Sequence, residues 1–215
     1  MSRHVNPFVH NAHNAHNVHN VHNDVSGHNE VSRLNELCDI NHEFSYVDVL
    51  ERGPESPKVV NARVPESIYW PRSSISGSDR IALFGLHGGA GATTLATIFG
   101  DHAIDTGQGW PVSDAGNEAR VIAVARTHYR GLSVADDFTQ LWGSGQLNES
   151  RLLGLILVDD APRLVDSQKK AVKRLLKKTP LGAHVPWVEN WRFGPPDPQQ
   201  IPLRIRRIVN AFKNA

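Results

Sequence analysis

The chain has 215 residues, 40% of them hydrophobic and 21% charged, which is the composition of a globular protein with room for one α/β domain and its appendages. No apolar run approaches the ~20 residues of a membrane span and no signal-peptide core is present, so an intracellular protein is expected; the single cysteine, Cys38, excludes an intramolecular disulfide. The formal net charge of +1 hides an uneven spread: six basic against nine acidic residues in 1–78, five against ten in 79–162, and twelve against three in 163–215. A basic quarter of this kind suits an acidic partner, whether nucleic acid, membrane surface or protein.

Residues 1–28 contain NAHNAHNVHNVHND, with His10, His13, His16, His19 and His22 three apart. Low complexity of this kind buries almost nothing, and disorder is expected. Imidazoles at that spacing can chelate Ni²⁺, Cu²⁺ or Zn²⁺, but the tract reads as a repeat expansion rather than a metal site. Residues 29–78 read as an irregular segment. A short helix is expected near Glu30–Cys38, scattered prolines follow, Ile68, Tyr69 and Trp70 pack on a flank, and Ser73–Asp79 is a linker.

The expected domain is 79–215. A strand at Arg80–Leu86 leads through glycines into a helix from Thr93 to about Ile104, with Leu95, Ile98 and Phe99 on one face. After a loop from Gly107 to about Asn117 come a strand at Arg120–Thr127, a helix from Gly131 to about Trp142 and a strand at Leu152–Val158. A basic helix at Val165–Lys178, a strand at Ala183–Val188 and a last helix at Ile201–Phe212 complete the alternation. Strands alternating with helices predict an α/β fold: a small parallel sheet with helices on both faces.

The stretch Ile81–Ala96, IALFGLHGGAGATTLA, organises this domain. A glycine-rich loop between strand and helix lets backbone N–H groups converge on an anion at the positive end of the helix dipole. Against the pattern G-x-x-x-x-G-K-[ST], Gly91 falls on the second glycine and Thr93 on the Mg²⁺-binding hydroxyl, while Ala92 stands in place of the lysine.

His87, Gly88, Gly89, Ala90, Gly91, Ala92, Thr93 and Thr94 resemble the deviant phosphate loop of the ParA/MinD group of P-loop ATPases, G-K-G-G-x-G-K-T-T. Leu86, His87 and Ala92 replace its leading glycine and both lysines. The resemblance extends loosely over Arg80–Ala215 through Val121–Thr127, Leu152–Val158 and Val185-Pro186-Trp187. It implies a P-loop fold, a site for ATP and Mg²⁺, and a bacterial cytoplasmic setting, carried on a plasmid or other mobile element. The residues between the first helix and Arg120 are too few for the group's two usual strands, one of which ends in the Mg²⁺-positioning aspartate. With lysines and aspartate lost, the expectation is a nonhydrolysing nucleotide- or phosphate-binding, or wholly inactive, accessory protein with no catalytic residues and an unidentified protein partner. Two alternatives stay open: an ATPase completed by a partner, and a DNA-binding adaptor.

Arg126, Thr127, His128, Asp159 and Asp160 end two apolar runs, and residues at the carboxyl ends of parallel strands line the usual ligand crevice. They serve equally as helix caps. His87 either partners phosphate or faces solvent, and Asp136 and Asp137 read as a solvated face. For nucleic acid the candidates are Lys169, Lys170, Lys173, Arg174, Lys177 and Lys178 on one helix and Arg204, Arg206 and Arg207 on the last, with a solvated helix surface as the plainer reading.

Overall fold

The computed structural model describes residues 50–57, 69–76 and 79–215. The histidine repeat, the helix expected near Glu30 and Cys38 lie outside the described residues. The strands are β1 (Leu50–Arg52), β2 (Arg72–Ile75), β3 (Ile81–Gly85), β4 (Ala103–Asp105), β5 (Trp110–Ser113), β6 (Ala119–Arg126), β7 (Ser150–Val158) and β8 (Leu181–Val185). The helices are α1 (Ala92–Phe99), α2 (Tyr129–Gly143), α3 (Asp166–Leu176) and α4 (Leu203–Lys213).

β3, β6, β7 and β8 are the apolar runs of the sequence, and nearly every residue in them is buried. Strands hidden on both faces have no polar side to show, which is why they read as continuous rather than alternating. They form a sheet in the order β1-β8-β7-β6-β3-β4, parallel throughout except for β1, which runs antiparallel to β8. The fold class is α/β, with helices on both faces of a mostly parallel sheet.

One face carries Ile81, Leu83, Ile122, Val124 and Ile156 against Leu95 and Phe99 of α1 and Ile205, Ile208 and Phe212 of α4. The other carries Ala82, Phe84, Ala123 and Leu155 against Phe138 of α2 and Val172, Leu175 and Leu176 of α3. On that second face Phe84 packs edge-on against Trp70 at 5.7 Å and Trp110 at 5.5 Å. Trp110 and Phe138 are fully buried, and truncating such a ring to alanine costs about 3–5 kcal/mol.

Three expectations are corrected. The first helix stops at Phe99, because Gly100 takes φ 59 at the C-cap and the chain then turns into β4. The stretch read as a loop contains β5, and the supposed linker contains β2; these two pair in parallel as a separate two-stranded sheet. The interval before β6 therefore holds two short strands, β4 in the main sheet and β5 in the small one. The folded unit also takes in β1, β2 and buried Trp70, all before Asp79, while Tyr69 is exposed. Among the described residues no helix is long and apolar enough to cross a membrane.

Candidate functional site

β3 delivers the chain to the carboxyl edge of the sheet, where Gly85 N–H donates to Gly107 O and Leu86 N–H to Val124 O. The glycine loop hangs from these two bonds. Ala90 N–H closes a turn on His87 O, and Gly89 and Gly91 take φ 76 and 102, which a β-carbon would strain. Gly91 caps α1 with no side-chain acceptor, so the first N–H groups of the helix have no side-chain partner at its start. Ala92, in the lysine position, is buried and packs with the core. Thr93 is exposed and Thr94 half-buried.

The Thr93 hydroxyl donates to Asp105 Oδ2 at 2.5 Å, and Gly107 N–H donates to Asp105 Oδ1 at 2.9 Å. Asp105 ends β4, next to β3. An aspartate at the end of a short strand thus stands beside the loop threonine, in the interval expected to lack one. Sequence reasoning missed it because Ile98, Phe99, Ala103 and Ile104 continue an apolar pattern through Gly100; that glycine and Gly107 were the available signals of a break.

His87 is half-buried, and both of its ring nitrogens meet backbone groups. Its Nε2 accepts from Arg126 N–H at 3.1 Å, and its Nδ1 lies 2.9 Å from Gly88 O. Burial holds its imidazole below the ordinary 6.5; the Gly88 carbonyl pulls the other way, and His128, Arg126 and Arg130 add to the depression. Arg126 is a strut: Nε donates to Gly89 O at 3.2 Å and Nη1 to Asp159 O at 2.7 Å. His128 is the N-cap of α2, its Nδ1 accepting from Gly131 N–H at 3.0 Å. Gly131 is required there, since a β-carbon would lie 2.2 Å from Arg126 O and 3.0 Å from His87 Nε2.

Beneath the edge lies a buried polar network. Thr127 Oγ1 is 3.2 Å from Asp159 Oδ1 and 2.9 Å from Asp160 Oδ1; its one hydrogen serves one carboxylate at a time. His184 Nε2 is 2.8 Å from Asp159 Oδ1, with both side chains buried, while His184 Nδ1 has no partner among the described residues. Gln168 Nε2 of α3 donates to Thr127 O at 3.1 Å, and its Oε1 accepts from Val165 N–H. Hence Arg126, Thr127, His128, Asp159 and Asp160 do converge with the glycine loop, but Thr127 and Asp159 are interior. His184 and Gln168 were missed: a histidine inside an apolar strand leaves the pattern unchanged.

The basic residues divide into two groups. α3 packs on one face of the sheet and α4 on the other. Lys169 pairs with Asp166, Lys177 with Glu51, and Lys178 and Arg174 both with Asp136. Asp136 is therefore an ion-pair partner joining α2 to α3. Lys170, Lys173, Arg206 and Arg207 are exposed, and Arg204 is half-buried. Among the described residues no group of three or more His, Cys, Asp or Glu is arranged for a metal ion.

No curated protein and no solved structure matches the chain. Residues 79–209, which include the glycine loop, the strand-end cluster, α3 and the first part of α4, match the model of the family of unknown function DUF6668, and the chain belongs to that family.

Proposed function

We propose that the chain is a nonhydrolysing phosphate- or nucleotide-binding protein of P-loop ancestry, an accessory protein rather than an enzyme. The observation that carries this reading is the glycine loop between a fully buried strand and a helix start without a side-chain cap, with left-handed backbone at Gly89 and Gly91. An anion there meets backbone N–H groups and the positive helix end, an electrostatic gain of about 0.3–1 kcal/mol before hydrogen bonds are counted.

ATP with Mg²⁺ is the ligand that the resemblance suggests, and part of the site suits it. The Thr93 hydroxyl and the Asp105 carboxylate are hard oxygen donors of the type Mg²⁺ takes, so these two would hold the metal. Bound there, it would neutralise charge on the phosphates. The two lysine positions of the loop hold no cation: Ala92 is packed away and His87 spends both nitrogens on backbone, while Arg126 puts two of its five donors on carbonyls. Losing a charge-assisted hydrogen bond costs about 1.5–3 kcal/mol in binding, and losing a transition-state donor about 10²- to 10³-fold in rate, which favours binding without turnover.

Asp105 favours a second reading, an ATPase whose missing cation comes from a partner protein. The exposed Lys170 and Lys173 favour a third, a DNA-binding adaptor using α3 alone. Calorimetric titration with ATP, ADP and inorganic phosphate, with and without Mg²⁺, tests the first reading. A steady-state hydrolysis assay separates it from the second: turnover well above that of a Thr93→Ala variant would replace it.

A further inference from the structure

The two ring nitrogens of His87 face opposite kinds of group. A backbone N–H can only donate, so Nε2, 3.1 Å from Arg126 N, must be the acceptor. Nδ1, 2.9 Å from Gly88 O, must then carry the hydrogen. The surroundings thus fix one neutral tautomer. Protonation would set an Nε2–H against the Arg126 N–H, replacing a hydrogen bond with two opposed donors. The Gly88 carbonyl favours that charge, but burial and the charged groups around the ring resist it. From β6 comes Arg126; from the start of α2 come Arg130 and His128, whose ring centroid is 5.1 Å away; Gly131 closes on the ring edge. Among the described residues no carboxylate acts on it.

We propose that His87 is a proton-operated latch: the neutral ring ties the glycine loop to the junction of β6 and α2, and the protonated ring releases it. The latch needs no ligand, so it stands whether or not the loop binds phosphate. Its reach is set by the strut next to it. Arg126 presents the N–H that His87 holds, and its side chain bonds both Gly89 O in the loop and Asp159 O just beyond the end of β7. Letting go of the Arg126 amide therefore removes one tie between the loop and β6, while the Arg126 side chain still bonds Gly89 O and Asp159 O. Because the ring resists charge, release belongs to pH below the ordinary imidazole value of 6.5.

The test is heteronuclear NMR on the ¹⁵N-labelled full chain between pH 8 and pH 5. Long-range imidazole correlations read the tautomer, and the amides of Gly88, Gly89 and Arg126 read the attachment. The expected result is an Nδ1–H ring at pH 7.5 that titrates below 6.5, with those amides shifting at the same midpoint. Exchange of the Arg126 amide, corrected for its intrinsic pH dependence, should rise roughly tenfold across that midpoint, the scale of one broken hydrogen bond. His87→Gln keeps an acceptor without a titrating group and should abolish the transition. An Nε2–H tautomer, a ring already charged at pH 7.5, an Arg126 amide indifferent to the midpoint, or a transition that survives His87→Gln would each overturn the latch. The wild-type titration decides on its own if the variant does not fold.

Discussion

Thr93 and Asp105 meet at the mouth of the glycine loop, hydroxyl to carboxylate at 2.5 Å, although twelve residues and a change from helix to strand separate them. This hydrogen bond joins the start of α1 to the end of β4, and both elements flank β3. If it marks a cation position, Asp105→Asn should fold as well as wild type, since an exposed pair contributes little to stability. It should nevertheless lose most of the Mg²⁺-dependent gain in ATP affinity. Titrations with and without Mg²⁺ on the two proteins check this. An unchanged Mg²⁺ effect would remove Asp105 from the site.

Gly131 offers a test of the junction on which the latch sits. A β-carbon there meets the Arg126 carbonyl at 2.2 Å, whereas at Gly143, the last residue of the same helix, it meets nothing within 4 Å. Gly131→Ala should destabilise the protein by about 1–3 kcal/mol, as overpacking against backbone does. Gly143→Ala should leave stability unchanged or raise it by up to about 1 kcal/mol, through helix propensity. Urea denaturation of both variants measures the contrast.

The pH dependence of stability follows from the same ring. The folded-state pKa of His87 lies below its unfolded value of 6.5, so between the two the unfolded chain binds a proton that the folded chain does not. The contribution is therefore complete above pH 6.5 and is lost as pH falls through the depressed pKa. Denaturation midpoints from pH 8 down to pH 5.5 should decline more steeply in wild type than in His87→Gln. Parallel curves would mean that His87 titrates as it does in the unfolded chain.

The two basic helices should act separately in any electrostatic binding. α3 and α4 pack on opposite faces of the sheet, so Lys170 and Lys173 are tested apart from Arg206 and Arg207. If α3 carries the binding, neutralising Lys170 and Lys173 lowers the slope of log affinity against log salt by about one unit for each phosphate that is no longer paired with a lysine. Neutralising Arg206 and Arg207 leaves the slope unchanged. Anisotropy titrations at several salt concentrations read both. Equal effects from the two pairs would mean that both helices contribute.

Much of the architecture is legible in the amino-acid sequence alone. The apolar runs ending at Arg126 and at Val158 place their next polar residues at one sheet edge, because parallel strands share a direction; that is why Thr127, His128, Asp159 and Asp160 gather beside the loop. What stays hidden has no periodicity to betray it. β4 has three residues, and its apolar pair continues the helical spacing of α1. β2 reads as a serine-rich linker until it pairs with β5. His184 sits in an apolar strand, and its partner Asp159 lies 25 residues earlier. Charge can be counted along the chain, but the face on which each helix packs cannot. Thus the basic quarter is visible in the sequence, while its division between two faces is not.

Binding of a phosphate group by the glycine loop, without turnover, is the property on which the proposed function stands or falls. Isothermal titration calorimetry of the full chain with ATP, ADP and inorganic phosphate addresses it most directly, with Gly91→Ala as the control, because φ 102 at that position strains any side chain. Circular dichroism confirms that the control is folded. Saturable heat is expected in wild type for at least one phosphate ligand, with a marked loss in Gly91→Ala and no product from ATP after prolonged incubation. Absence of binding by every phosphate ligand, or binding undiminished in Gly91→Ala, would contradict phosphate binding by the loop.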